Sequence, residues 1–238
     1  MQADAIMFDK DGTLLDFDAF WVTISVKAME DILRELGRTD IPVDAFLTAF
    51  GVHDGVTDME GVLCKGTYVQ MGQIVHTILS QYGVTISCQE TVRRVNEAYT
   101  RHADAGEVLP TCPDLAAVLT QLKKQGKKLA VVTTDNEGIT RKCLEKLGIA
   151  ELFDKIYTDD GKTPQKPDPY CAEAFAQVAG VPKDRMVMVG DTMTDMHFAR
   201  NAGIAVIGVA KSEKNRSILA PYAYRVIPDI SALPDVLN

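Results

Sequence analysis

Five short, continuous runs of apolar residues constrain the fold of this chain more than any other feature of its sequence. They are the segments AIMF (5–8), KLAVVT (128–133), KIYT (155–158), RMVMVG (185–190) and IAVIGV (204–209). Most of these runs do not alternate with polar residues, which is typical of strands in a parallel sheet that helices cover on both faces. We therefore predict an α/β fold built around a parallel sheet.

Amphipathic helices are predicted between the later strands. Four apolar residues spaced as one helical face occur within 113–126: Leu115, Val118, Leu119 and Leu122. The same spacing recurs within 168–180, at Ala172, Phe175, Ala176 and Ala179. Gly126 is placed to end the first helix, and Pro169 suits the first turn of the second. Because strand and helix alternate from about Leu109 onward, we predict a doubly wound, Rossmann-like core.

The segment after the first strand breaks this alternation. From Asp16 to about Gly106 the sequence shows helical patterns only. We predict an all-helical cap over 16–106, inserted into a core made of 1–15 and 107–238. Open α/β sheets bind ligands at the carboxyl ends of their strands, where this insertion begins. A mobile lid is the favoured interpretation, and a purely structural insertion is the alternative.

Composition excludes several classes of function. The formal net charge is −8 and no cluster of Lys and Arg offsets it, which argues against nucleic-acid binding. No apolar run approaches the ~20 residues of a membrane helix, and no secretory signal is visible. The five cysteines are widely spaced and never form C-x-x-C, which favours free thiols and a reducing cytoplasm. We expect a cytoplasmic protein, monomeric or homodimeric.

Polar residues follow the predicted strands at their carboxyl ends. They are Asp9, Asp11, Gly12 and Thr13 after the first strand, Thr133 and Thr134 at the second, Lys166 before a helix, and Asp191 and Asp195 after the fourth. Strand ends of a parallel sheet lie side by side, so these groups should converge. Clustered carboxylates suit Mg²⁺, and a carboxylate beside Mg²⁺ can attack phosphorus. A second carboxyl group can transfer protons, while a lysine and a hydroxyl hold the phosphoryl oxygens.

The segments DKDGT (9–13), VVTT (131–134), KPDP (166–169) and GDTMTD (190–195), in this order, resemble the four motifs of the haloacid dehalogenase superfamily. The resemblance spans the whole core, and it is strongest to phosphoglycolate phosphatase-like members with a helical cap. It implies Asp9 as nucleophile, Asp11 as general acid and base, and Thr133 and Lys166 as phosphoryl ligands. Gly12 and Thr134 are further phosphate-binding candidates. The resemblance also implies a Mg²⁺ site formed by Asp9, the backbone carbonyl of Asp11 and Asp191, with Asp195 either coordinating the ion directly or contacting its ligands.

Lys10, Asp135 and Lys65 are the other charged residues that bear on the predicted site. Lys10 lies between the two acids and should point away from them on an extended backbone, so we interpret it as non-catalytic. Asp135 is interpreted as the cap of the next helix. In the cap, Lys65 lies in a glycine-rich loop and is a weak candidate for substrate specificity. A Schiff-base role for Lys65, as in phosphonatase-like relatives, is a lesser alternative.

The sequence thus predicts a Mg²⁺-dependent phosphatase that acts on a small phosphorylated metabolite through an aspartyl-phosphate intermediate. In this superfamily the acid at Asp11 distinguishes phosphoryl transfer from dehalogenation, because a halide needs no proton. A phosphomutase of the sugar-phosphate type would use the same residues and is the first alternative. A non-enzymatic phospho-acceptor switch is the second, although such switches are short single domains. The sequence does not identify the ester.

Overall fold

The computed structural model describes residues 1–237, which form two compact units. One unit combines Met1–Asp16 with the chain from Val108 onward, and the other is the continuous segment Phe17–Glu107. Asn238, the last residue of the predicted core, lies outside the described residues. In the chain, the second unit therefore follows directly after the first strand of the α/β unit and its connecting loop.

The helices and strands alternate with short connections. In chain order they are β1 (Ala5–Phe8), α1 (Thr23–Glu35), α2 (Val43–Ala49), β2 (Val52–His53), β3 (Val56–Thr57), α3 (Val62–Lys65), α4 (Tyr68–Gln81), α5 (Cys88–Arg101), α6 (Leu115–Lys124), β4 (Lys128–Asn136), α7 (Glu137–Lys146), β5 (Lys155–Asp159), α8 (Tyr170–Ala179), β6 (Met186–Gly190), α9 (Met193–Ala202), β7 (Ala205–Val209), α10 (Glu213–Leu219), β8 (Arg225–Ile227) and α11 (Leu233–Leu237). A π-helical turn, Asp18–Val22, leads into α1.

Six parallel strands form the sheet of the α/β unit, in the order β5–β4–β1–β6–β7–β8. β1 lies inside the sheet, with Phe8 beside Val131 of β4 and Val189 of β6. Every side chain of β1 is buried, and Ile6 packs in the same core cluster as Leu119 of α6. The predicted α/β fold with a parallel sheet is confirmed, because each of the five apolar runs forms a strand.

The predicted helical face of α6 is fully buried, and that of α8 is buried at two of its four positions. All four apolar residues of α6 are buried, and the chain after α6 passes through Gly126 with a φ of +80°. α8 buries Ala172 and Phe175, and it ends at Gly180 in the left-handed conformation. Glycine adopts this conformation without the steric cost that a Cβ carries, which is why α6 ends just before Gly126, as the sequence predicts.

Two features of the sheet were not predicted. β8 has only three residues, too few for a hydrophobic pattern to identify it. β4 continues past the apolar run to Asn136, and its pairing with β5 shifts register between Val132 and Asn136. The extension carries the chain from Thr133 to Asp135 along the carboxyl edge of the sheet.

The unit 17–107 is mainly helical, but the prediction that it is all-helical is wrong. β2 and β3 form a small antiparallel hairpin in which His53 pairs with Val56. Its two-residue turn is Asp54–Gly55, and both residues have positive φ angles, 52° and 77°. Asp-Gly is a preferred sequence for such turns. Strands of two residues leave no alternation in the sequence, so the hairpin was not recognised.

Helices α1, α4 and α5 make the core of this second unit. Side chains on one face of α1 are buried, among them Ile24, Ala28 and Ile32. Tyr99 of α5 is buried and donates a hydrogen bond of 2.6 Å from its hydroxyl to Ser25 Oγ of α1. These helices therefore bury their apolar faces within the unit's own core.

Two predictions from composition can be compared with the structure. The five cysteines are free thiols, as their spacing indicated. Among the described residues, none of the helices combines the length and the apolar character that crossing a bilayer requires.

Candidate active site

The carboxyl ends of β1, β4 and β6 bring the first group of predicted site residues together. Asp9 directly follows β1, and its backbone N–H donates a hydrogen bond of 2.9 Å to Val189 O of β6. Thr133 lies in β4 beside β1, and Asp191 directly follows β6. Because these three strands pair in parallel, three residues that are distant in the sequence lie together at one edge of the sheet.

Lys166 reaches this edge from the loop between β5 and α8. Its Nζ lies 2.5 Å from Asp9 Oδ1 and 2.7 Å from Asp195 Oδ1. Asp9, Lys166 and Asp195 are all buried, with at most 9% of each residue exposed. A buried lysine between two carboxylates is a strong electrostatic contact, because little water screens it.

Three carboxylates cluster around this lysine. Asp9, Asp191 and Asp195 each offer an oxygen, and these oxygens lie within 4.8 Å of one another. Burial raises the pKa of Asp9 to about 7 although Lys166 opposes the rise, and the charges of Asp195 and Asp11 add to it. Burial also raises the pKa of Asp191, together with the charges of Asp9 and Asp195. One lysine does not balance this cluster, which fits the binding of a further cation by oxygen ligands.

The pKa of Lys166 lies above its usual range. Burial lowers the pKa of Lys166, but the charges of Asp195 and Asp9 and the hydrogen bonds to them raise this pKa by more than burial lowers it. Lys166 is therefore an ammonium group at neutral pH, and its positive charge is available to a bound anion.

Asp195 is held by the beginning of α9. Its Oδ2 accepts hydrogen bonds from the backbone N–H and the hydroxyl of Thr192, at 3.0 and 2.7 Å, which forms a capping box. A Cβ on Gly190 would lie 2.4 Å from Asp195 Cγ. The carboxylate therefore occupies the space that a side chain at position 190 would fill, so a glycine is needed there.

Gly12 and Thr13 enclose Asp191 from the β1 side. Gly12 has a φ of +76°, and a Cβ on it would lie 2.1 Å from Asp191 Oδ2. The hydroxyl of Thr13 donates a hydrogen bond of 3.2 Å to Asp191 Oδ1. The carbonyl of Thr13 in turn accepts a hydrogen bond of 2.7 Å from the hydroxyl of Thr111. Gly12 thus serves the site by leaving room for Asp191.

Gly12→Ala is expected to lower the unfolding free energy by more than a glycine-to-alanine change at another position with positive φ. The strained φ alone should cost about 1–2 kcal/mol of unfolding free energy. Displacement of Asp191 should add to this cost and should lower the activity that the sequence predicts, phosphate release, about 10²-fold. Gly180→Ala is the matched control, since Gly180 has a φ of +65° and a Cβ added there would meet no neighbouring atom within 4 Å. Urea unfolding and activity of both variants test the expectation; equal losses in both would contradict it.

Thr133 and Thr134 have different surroundings. Thr133 is buried, and its hydroxyl accepts a hydrogen bond of 3.2 Å from the backbone N–H of Asp135. Thr134, the next residue of β4, is exposed. The structure thus distinguishes the two hydroxyls by burial, and their phosphate-binding roles stay predictions.

Asp11 forms an ion pair with Lys10, the residue that precedes it in the chain. The side chain of Lys10 is fully buried, and its Nζ lies 3.0 Å from Asp11 Oδ2 and 2.9 Å from Asp135 Oδ2. The prediction that Asp135 caps the next helix is wrong. Asn136 caps α7 through a hydrogen bond from the backbone N–H of Ile139, because the extension of β4 delays the start of the helix by one residue.

Lys65, the candidate in the second unit, lies at the end of α3. It forms an ion pair with Glu60, and both side chains are about half exposed. Its role in specificity stays a prediction.

Comparison with known proteins agrees with this geometry. The family model described as haloacid dehalogenase-like hydrolase matches residues 3–203. The phosphoglycolate phosphatase of Neisseria meningitidis is 29% identical over 218 residues, which cover 91% of this chain and 84% of the relative. That of Neisseria gonorrhoeae is 28% identical over 236 residues, covering 98% and 91%.

Solved structures show the same fold. The HAD-hydrolase YfnB of Bacillus subtilis superimposes with a TM-score of 0.71 at 19% identity, and the match covers 100% of both chains. At this identity the likeness concerns the fold alone.

Proposed function

The chain belongs to the haloacid dehalogenase-like hydrolases, and we propose that it is a Mg²⁺-dependent phosphatase of small phosphate monoesters. Its similarity to curated phosphoglycolate phosphatases indicates that it is a phosphoric monoester hydrolase. The observation that carries the proposal is the buried contact of Lys166 with Asp9 and Asp195 beside Asp191. This contact unites a nucleophile, a cation for the phosphoryl group and a set of metal ligands at one strand edge.

In the first half-reaction, a carboxylate oxygen of Asp9 attacks the phosphorus of the ester. The bond between phosphorus and the ester oxygen breaks, and the carboxylic acid of Asp11 gives its proton to the leaving oxygen. Lys166 and Thr133 hold the phosphoryl oxygens as their charge redistributes. The products are an alcohol, phospho-Asp9 and the carboxylate of Asp11.

In the second half-reaction, a water oxygen attacks the phosphorus of phospho-Asp9. The carboxylate of Asp11 takes a proton from this water, and the bond between phosphorus and Asp9 breaks. Inorganic phosphate leaves, and Asp9 returns to a carboxylate and Asp11 to a carboxylic acid. The two half-reactions need one acid that works in both directions, which Asp11 provides.

The metal ligands proposed are the carboxylates of Asp9, Asp191 and Asp195, with the backbone carbonyl of Asp11 as the family resemblance implies. The donor set fits Mg²⁺, since all of its atoms are oxygens and its charge is not balanced by Lys166 alone. Bound Mg²⁺ supplies positive charge that offsets the carboxylates and polarises the phosphoryl oxygens. Thr13 and Gly12 keep Asp191 in place for this role.

The substrate proposed is a small, soluble phosphorylated metabolite, and 2-phosphoglycolate is the first ester to test because the curated relatives are named for it. The net charge of −8 disfavours nucleic acid as a partner. The positive charge that an anionic ester needs comes from Lys166 and from the proposed metal.

Phosphate release from a panel of esters tests the proposal. The full-length protein is incubated with Mg²⁺ and 2-phosphoglycolate, sugar phosphates or nucleoside monophosphates. We expect phosphate release from at least one ester, a fall of tenfold or more in EDTA, and recovery when Mg²⁺ is added in excess. Rearranged sugar phosphate without phosphate release would indicate the mutase instead. A protein that releases no phosphate from any ester would contradict the proposal.

A further inference from the structure

Lys10 is an ammonium group enclosed in the protein at the end of β1. Its side chain has no exposed surface, and its Nζ contacts Asp11 at 3.0 Å and Asp135 at 2.9 Å. An ammonium group so deeply buried is costly unless its partners are close and well oriented. Both partners of Lys10 meet this condition, so the group is held on two sides.

Asp135 is itself fixed by its neighbours. Its Oδ1 accepts a hydrogen bond of 2.9 Å from the backbone N–H of Asn136, which leaves Oδ2 directed at Lys10. Its own backbone N–H donates to the hydroxyl of Thr133 at 3.2 Å. A chain of contacts therefore joins Thr133 to Asp11 through Asp135 and Lys10, and so joins the end of β4 to the end of β1.

We propose that Lys10 is a positioning residue that fixes the carboxylate of Asp11 for its two proton transfers, with Asp135 holding Lys10 in place. This inference rests on the proposed function, because it needs Asp11 to act as the acid and base. A free aspartate side chain rotates about two bonds, and a close ion pair with an immobile partner removes most of that freedom.

The effect of Lys10 should be largest on the steps that use Asp11. Asp9 is contacted by a different lysine, Lys166, so attack on phosphorus does not depend on Lys10. An alkoxide leaving group needs a proton from Asp11, whereas p-nitrophenolate leaves without one. Hydrolysis of phospho-Asp9 needs Asp11 for every ester.

Lys10→Met tests this inference, since methionine keeps an unbranched chain of similar length and removes the charge. With p-nitrophenyl phosphate we expect a burst of p-nitrophenolate close to one equivalent per folded protein, followed by turnover about 10²-fold slower than in the wild type. With an alkyl phosphate we expect an equally slow rate and no burst. Asp135→Asn should show the same burst, followed by a smaller reduction in turnover.

A matched control separates positioning from general stability. Lys123→Met removes another ion pair of the same unit, that of Lys123 with Asp154 at 2.7 Å. Circular dichroism gives the folded fraction of each variant, and rates are expressed per folded molecule. The control should turn over both esters at the wild-type rate without a burst.

The outcomes are distinguishable. A Lys10→Met variant that turns over both esters within threefold of the wild type overturns the inference, as does one that slows without a burst on p-nitrophenyl phosphate. If Lys10→Met does not fold, the burst of Asp135→Asn decides in the same way. A wild type without phosphatase activity contradicts the proposed function and overturns this inference with it.

Discussion

Asp9→Asn is expected to lower phosphate release by about 10⁴-fold or more, the scale on which loss of a nucleophile acts. Asparagine has nearly the shape of aspartate, and its amide oxygen can still accept the hydrogen bond from Lys166. The amide cannot form the acyl phosphate, so binding should survive while covalent chemistry stops. Steady-state phosphate release gives the rate, and mass spectrometry of acid-quenched protein detects a phosphoryl group on the peptide that carries Asp9.

The control for this prediction is Asp184→Asn, which replaces an exposed aspartate in the same unit. It should leave the rate unchanged and should still show the phosphorylated peptide. Phosphate release by Asp9→Asn within tenfold of the wild type would assign the nucleophile to another residue. A labelled peptide elsewhere in the chain would identify that residue directly.

The fold was predictable where a single physical rule acted on enough residues. Most of the five runs that form strands are continuous and apolar because both of their faces are buried, and Gly126 ends α6 because the chain turns there with a positive φ. The strands of the hairpin at Asp54–Gly55 and the strand Arg225–Ile227 have only two or three residues, too few to show a recognisable hydrophobic pattern. Their pairing depends on neighbours that are distant in the sequence.

The sequence predicted that Asp9, Lys166 and the two later aspartates lie together, but it did not predict their contacts. Strand ends indicated Asp9 and Asp191, because parallel strands present their carboxyl ends together. Lys166 lies in a loop before α8, so its position there and the resemblance of its motif to a family had to indicate it together. Alternation along the strand predicts that Lys10 points away from the acids, but its side chain is buried and does not reach solvent. The ammonium group instead folds back to Asp11, since a buried charge requires a partner.

Lys166→Met is expected to remove most of the activity and part of the stability. Loss of one positive group that stabilises developing negative charge should lower the rate about 10²–10³-fold. Removal of one partner from a buried ion pair should cost about 3 kcal/mol of unfolding free energy, because Asp9 and Asp195 are left facing each other. Lys162→Met is the matched control, as Lys162 is exposed in the same loop.

The loss of stability in Lys166→Met should depend on pH in a defined direction. Burial raises the pKa of Asp9 to about 7 from 3.8 in the folded protein, so the folded state binds the proton more tightly than the unfolded chain. Stability of the metal-free protein therefore falls as pH rises through this window. Lys166 is the group that limits this pKa, so its removal should extend the fall to higher pH.

Thermal unfolding in EDTA measures this dependence. We expect the gap in Tm between the wild type and Lys166→Met to widen from pH 5 to pH 8, while Lys162→Met follows the wild type at both values. Added Mg²⁺ should narrow the gap, since a metal held by Asp9 and Asp191 replaces part of the missing positive charge and stabilises the folded state in proportion to its binding. A gap that is constant from pH 5 to pH 8 would show that Lys166 acts on stability through packing and not through the charges of the carboxylates.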